Sequence, residues 1–154
     1  MTEQHFPDLP PLVPSRGSKL SRRLFKKLFL AQGWKLQGEF PNLAKAVGII
    51  SPHTSNIDAW LGFNALLGLG IKITIFGKDS LFQTPLKPIL EWIGVVPVVR
   101  DSPQGQTQQI VEIIKQSPKI WVGMAPEGSR KAPDKIRSGF YHIAQAANIP
   151  IVMF

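Results

Sequence analysis

Short runs of β-branched and aliphatic residues alternate along this chain with segments of helical character, and that alternation limits the fold more than any other feature. Val47-Gly48-Ile49-Ile50 is an apolar run leading into the Pro52-His53 turn, and Ser55 can cap a helix that begins with Asn56 and carries Asp58 in its first turn. The pattern then repeats. It gives a strand from Ile71 to Ile75, a helix from about Leu81 to Trp92 and a strand from Val95 to Val99. A helix from about Gln104 to Gln116, a strand from Lys119 to Met124, a helix from about Ser138 to Ala147 and a strand from Ile149 to Phe154 complete it. Such repetition specifies an α/β domain with a central, mostly parallel sheet flanked by helices. The apolar stretch 59–76 does not read as a membrane span, because Asn64, Lys72 and several glycines interrupt it. A helix ending near Leu69-Gly70 followed by a buried strand accounts for it.

The 154 residues are of single-domain size, and the absence of cysteine excludes a thiol nucleophile, a disulfide framework and a thiolate metal site. It fits a reducing compartment. The net charge of +8 points to an anionic partner, and its distribution is uneven: from Ser15 to Leu36 there are seven cations and no acid. On a helical wheel Leu20, Leu24, Phe25, Leu28 and Phe29 take one side, and Arg22, Arg23, Lys26 and Lys27 the other. Residues 15–37 are therefore expected to form a basic amphipathic helix on an anionic membrane surface, with Trp34 at the interface. Residues 1–14, polar and proline-rich with no secretory signal pattern, are expected as a flexible leader, and residues 38–154 as the folded domain. The final run, Ile149 to Phe154, is expected as a buried core strand, which suggests a domain truncated at its C-terminal side.

His53 and Asp58 place a base beside a carboxylate: a neutral imidazole can take the proton of an attacking alcohol while the carboxylate orients the ring and stabilises its cation. Arg100 closes the run Gly94-Val95-Val96-Pro97-Val98-Val99, and Glu127 stands in Ala125-Pro126-Glu127-Gly128-Ser129-Arg130 after another apolar run. In α/β sheets the working groups gather on loops at strand ends, so His53, Arg100 and Glu127 are expected to converge. Gly128 admits a ligand close to the backbone, and Arg130 supplies a cation for phosphate. A metal site built from His53, Asp58 and Glu127 lacks the histidine spacing such sites use. No aromatic and basic interleaving recurs along a strand, which argues against nucleic acid.

Together these elements resemble the glycerolipid acyltransferase family, the group that contains 1-acylglycerol-3-phosphate acyltransferases. His53 and Asp58 match its His-x4-Asp block, Gly94 to Arg100 its second block, and Pro126 to Arg130 its Pro-Glu-Gly-Thr-Arg block. Ile149-Pro150-Ile151-Val152 matches its fourth, and Lys78 resembles the lysine ahead of the second. Ser129 stands where the family has threonine, and the chain ends within the fourth block.

The resemblance implies transfer of a fatty acyl group from acyl-CoA or acyl carrier protein to the hydroxyl of a lysophospholipid, 1-acylglycerol-3-phosphate giving phosphatidic acid, as a step of phospholipid biosynthesis. His53 would be the general base and Asp58 its orienting partner. Arg100 and Arg130 would bind the acceptor's phosphate, with Glu127, Gly128 and Ser129 completing the substrate loop. No cofactor or metal is implied, and the expected place is the cytoplasmic side of a membrane, bound peripherally or monotopically. The competing expectation is an inactive or truncated acyltransferase-like protein that only binds a membrane surface.

Overall fold

A computed structural model describes residues 6–49, 56–99, 101–124 and 138–153. The elements run α1 (Lys19–Ala31), β1 (Lys45–Ile49), α2 (Asn56–Leu69), β2 (Ile73–Lys78), a 3-10 turn (Asp79–Gln83), α3 (Lys87–Ile93), β3 (Val95–Val98), α4 (Pro103–Gln116), β4 (Ile120–Met124), α5 (Gly139–Ala147) and β5 (Ile151–Met153). The five strands form one sheet in the order β3-β2-β4-β1-β5, and every pairing between them is parallel. This is the α/β architecture that the alternation predicts.

Successive residues of a strand point to opposite faces, and the core divides accordingly. Val47, Val98, Ile120 and Val122 meet Ile110 and Ile114 of α4 and Ile143 and Ala144 of α5 on one face. Ala46, Ile73 and Trp121 meet Leu69 of α2 and Phe29 of α1 on the other. The sheet is thus the middle layer, with α4 and α5 behind it and α1 and α2 in front. Each fully buried aliphatic side chain contributes roughly 1.5–3 kcal/mol relative to its exposed state, so both layers are firmly driven together.

Several elements differ from expectation for identifiable reasons. The helix expected over 81–92 is interrupted: Thr84 is extended (φ −100°, ψ 165°), and the α-helix starts only at Lys87. Pro85 lacks a donor and disfavours helical backbone at the residue before it, which forces the break. The strand expected from Ile71 begins at Ile73, while Ile71 makes an isolated antiparallel bridge to Ser15. The strand expected to be buried from Ile149 is so only in part: Ile149 and Val152 pack half-buried against the core, while Ile151 and Met153 are exposed, Met153 at 78%. Its strand β5 pairs with β1 on one side and forms the edge of the described sheet. Gly94, the glycine of the second motif, has a backbone reason: its φ is +92°, and a Cβ there would lie 2.6 Å from the Ile73 carbonyl oxygen.

The N-terminal region departs most. Residues 6–14, within the expected leader, are fastened to the domain: Phe6 and Val13 are buried, and Phe6 packs edge-on against Phe29 with ring centroids 5.6 Å apart. The Leu12 amide donates to Asn42 Oδ1 at 2.9 Å and Lys119 Nζ to the Pro11 carbonyl at 3.0 Å. Two apolar anchors within a polar, proline-rich stretch are enough to hold it. Helix α1, capped by Ser18, then runs antiparallel to α2, with Lys26 beside Gly68 and Arg22 beside Gly70. A Cβ on Gly68 would lie 3.0 Å from the Lys26 backbone nitrogen, so glycine permits this close approach. Arg22, expected on the solvated cationic side, is half-buried and donates through Nε to the Arg16 carbonyl at 3.0 Å.

Candidate active site

Parallel strands share one C-terminal edge, and the segments that carry His53, Arg100 and Glu127 each follow a strand at that edge in the chain. Strands β1 and β4 are neighbours in register from Lys45↔Ile120 to Ile49↔Met124, so they end level. The segment holding His53 departs after Ile49, and the segment holding Glu127, Gly128, Ser129 and Arg130 departs after Met124. Beyond β1 the chain passes to α2 in front of the sheet, and beyond β4 to α5 behind it. Connections that diverge from adjacent strands open a crevice at their ends, the usual ligand position of such sheets. At about 4.8 Å per strand, the end of β3, which precedes Arg100, is roughly 10 Å from β4 and roughly 15 Å from β1 along this edge.

His53, Arg100, Glu127, Gly128, Ser129 and Arg130 themselves lie outside the described residues. So does Ser55, the expected cap of α2. Asp58 is described only by its place in the first turn of α2, where a helix N-terminus favours negative charge.

The backbone on either side of Arg100 is held by α4. Gln109 reaches back from that helix and brackets the Val99 peptide: the Val99 amide donates to Oε1 at 3.2 Å and Nε2 donates to the Val99 carbonyl at 3.1 Å. On the other side Ser102 caps α4, its Oγ accepting from the Gly105 amide at 3.0 Å. A two-point clamp at Val99 and a helix cap at Ser102 thus hold the described backbone on the two sides of that position. Lys78 adds a described cation at the same edge, since it ends β2 opposite Val98. The sequence signals Lys78 through its motif, but a glutamine inside a helix that also carries Gln104, Gln106 and Gln108 gives no hint of a clamp.

Two other features lie away from this edge. A cleft of about 420 Å³ opens at the opposite, N-terminal ends of β2, β3 and β4, lined by Lys72, Gly94, Lys119 and Ile120 among others; the second motif touches it only through its start, Gly94 to Pro97. Ser138 Oγ and His142 Nε2 are 3.3 Å apart on exposed α5, a surface pair at a helix start. Among the described residues no three histidine, aspartate or glutamate side chains cluster as metal ligands would.

A family model described as Acyltransferase matches residues 36–153. The chain belongs to the acyltransferase family. No curated protein and no solved structure matches it. The matched region starts after α1, whereas the folded unit includes α1, because Phe29 belongs to the same core as Trp121.

Proposed function

We propose that this acyltransferase moves a fatty acyl group from the thioester of coenzyme A or acyl carrier protein to the hydroxyl of a lysophospholipid, with 1-acylglycerol-3-phosphate as acceptor and phosphatidic acid as product. The observation that carries the reading is the level ending of β1 and β4 at Ile49↔Met124, from which the His-x4-Asp and Glu-Gly-Ser-Arg segments depart side by side. His53 acts as general base. It takes the acceptor's hydroxyl proton as the oxygen attacks the thioester carbonyl; the tetrahedral intermediate then collapses with cleavage of the C–S bond, and the imidazolium returns the proton to the departing sulfur, which leaves as the free thiol. Asp58 orients the imidazole and stabilises its cation.

Arg100 and Arg130 bind the acceptor phosphate, to which planar guanidinium groups are matched in a bidentate way. Glu127, Gly128 and Ser129 complete the acceptor loop. No cofactor takes part beyond the acyl donor. Among the described residues no helix is long and apolar enough to cross a membrane. The enzyme meets its lipid at an anionic bilayer surface on the cytoplasmic side, held there by α1, whose Leu20, Leu24 and Leu28 face solvent beside Arg23 and Lys27.

His53→Ala is expected to lower transfer from a labelled acyl thioester by about a hundredfold or more with the circular dichroism spectrum unchanged. Turnover equal to the parent would reject the mechanism. Arg100→Ala is expected to raise the acceptor's KM about tenfold or more while leaving the donor's within about twofold. Equal effects on both substrates would remove the phosphate role.

A further inference from the structure

Three of the four tryptophans are outside the core, and all three belong to the front layer. Trp34 follows α1, Trp60 lies in the second turn of α2 and Trp92 in the last turn of α3, at 53%, 56% and 58% exposure. Contacts join these helices into one surface. Trp60 Nε1 donates to Gln32 Oε1 at 3.2 Å, which ties the start of α2 to the end of α1. Arg16, just ahead of α1, donates to the Trp92 carbonyl and stacks over the Trp92 ring at 5.1 Å. Phe63 and Leu67 of α2 line a small cavity together with Ile93 of α3.

Exposed aliphatic groups accompany the indoles on every helix: Leu20, Leu24 and Leu28 on α1, Ile57 on α2, Ile89 on α3. The rear layer shows nothing similar. Tyr141 is the one large hydrophobic residue exposed on α4 or α5 among the described residues. An indole prefers the boundary between headgroups and acyl chains, where its ring is buried and its N–H stays wet. The seven cations and no acid between Ser15 and Leu36 give this layer the sign that an anionic lipid surface attracts.

We propose that the whole α1–α2–α3 layer, and not α1 alone, beds on an anionic bilayer, with Ile89 and Trp92 of α3 forming a second anchor beside the leucines of α1. This rests on the membrane-surface reading of α1 above and extends it. Ile57 and Trp60 sit at the start of α2, next to the crevice edge, so a lipid acceptor passes from the bilayer to the crevice without crossing water.

Co-sedimentation of the full chain with vesicles of equimolar phosphatidylglycerol and phosphatidylcholine tests this, with folding checked by circular dichroism. Ile89→Glu is expected to weaken binding ~tenfold or more. The double variant Leu24→Ser/Leu28→Ser should weaken it comparably yet leave measurable binding, and Tyr141→Glu on the rear layer should leave it unchanged. With brominated lipid, Trp92→Phe should remove about a third of the quenchable fluorescence, since three exposed indoles share it. Wild-type binding by Ile89→Glu, or quenching unaffected by Trp92→Phe, overturns the second anchor. If the leucine variant alone abolishes binding, the α1 reading stands and this one falls; if no variant changes binding, both fall. A lipid-free dimer dissolved by Ile89→Glu, with no vesicle binding by the parent, would assign the face to a second copy of the chain and overturn the proposal.

Discussion

The two faces of the sheet are covered in different ways. Behind it, α4 is amphipathic in the ordinary sense: Ile110 and Ile114 are buried, while Gln104, Gln108, Glu112 and Lys115 face water. Its start is capped by Ser102, and its end is secured where the Ser117 hydroxyl donates to the Ile113 carbonyl at 2.7 Å. In front, α2 is apolar nearly all round yet only partly covered, and α1 turns leucines outward. An all-apolar helix is normally enclosed. The rear layer therefore shows how this chain builds a water-facing wall, and the front layer shows that its apolar exposure is not a general property of the surface.

That contrast is sharpest inside α1 itself. At about 100° per residue, Leu20 and Phe29 are on opposite sides of the helix, although a wheel counts both toward one broad apolar arc. Phe29 is buried against Phe6, and Leu20 is 77% exposed. Phe29→Ala should therefore cost about 3–5 kcal/mol in urea unfolding, comparable to the loss of a core aromatic. A cost below about 1 kcal/mol would mean that α1 is not part of the domain.

On the rear layer a smaller effect is expected from the cap. Ser102→Ala should cost about 1 kcal/mol and, because Ser102 follows the Arg100 segment closely, should also raise the acceptor's KM modestly. A stability loss with unchanged KM would separate the cap from the site. The smallest effect belongs to Leu20→Ser, which should leave stability in lipid-free buffer within about 0.5 kcal/mol. A large loss there would show that the outer stripe is covered by protein.

How much was legible in the sequence follows the same division. The alternation of β-branched runs with capped helical segments identified all five strands, and it located the motifs at strand ends, because those signals are local. Local signals also misjudged several places, three of them instructive. The Pro85 break lay within a pattern read as one helix, Phe6 and Val13 were hidden in a polar leader, and the wheel of α1 could not say which part of its apolar arc meets α2. The last two depend on what packs against the segment, which no window along the chain contains, whereas the first was local, since Pro85 itself disfavours helical backbone at Thr84. Of the site, the order of the motifs and their common edge were readable. The Gln109 clamp on Val99 was not, since it is made across a turn by a residue type with no distinguishing neighbours.

The docking of Phe6, Val13 and Phe29 on the Trp121 side of the sheet has a practical consequence. Removing the first thirty residues would strip Phe6, Val13 and Phe29 from the core cluster that contains Trp121. If α1 recruits the enzyme to lipid as proposed, recruitment and survival of the fold run through the same helix, and a deletion would appear as vanished protein long before it appeared as altered address. Separating the two requires outward point changes such as those at Leu24 and Leu28, which leave that cluster in place.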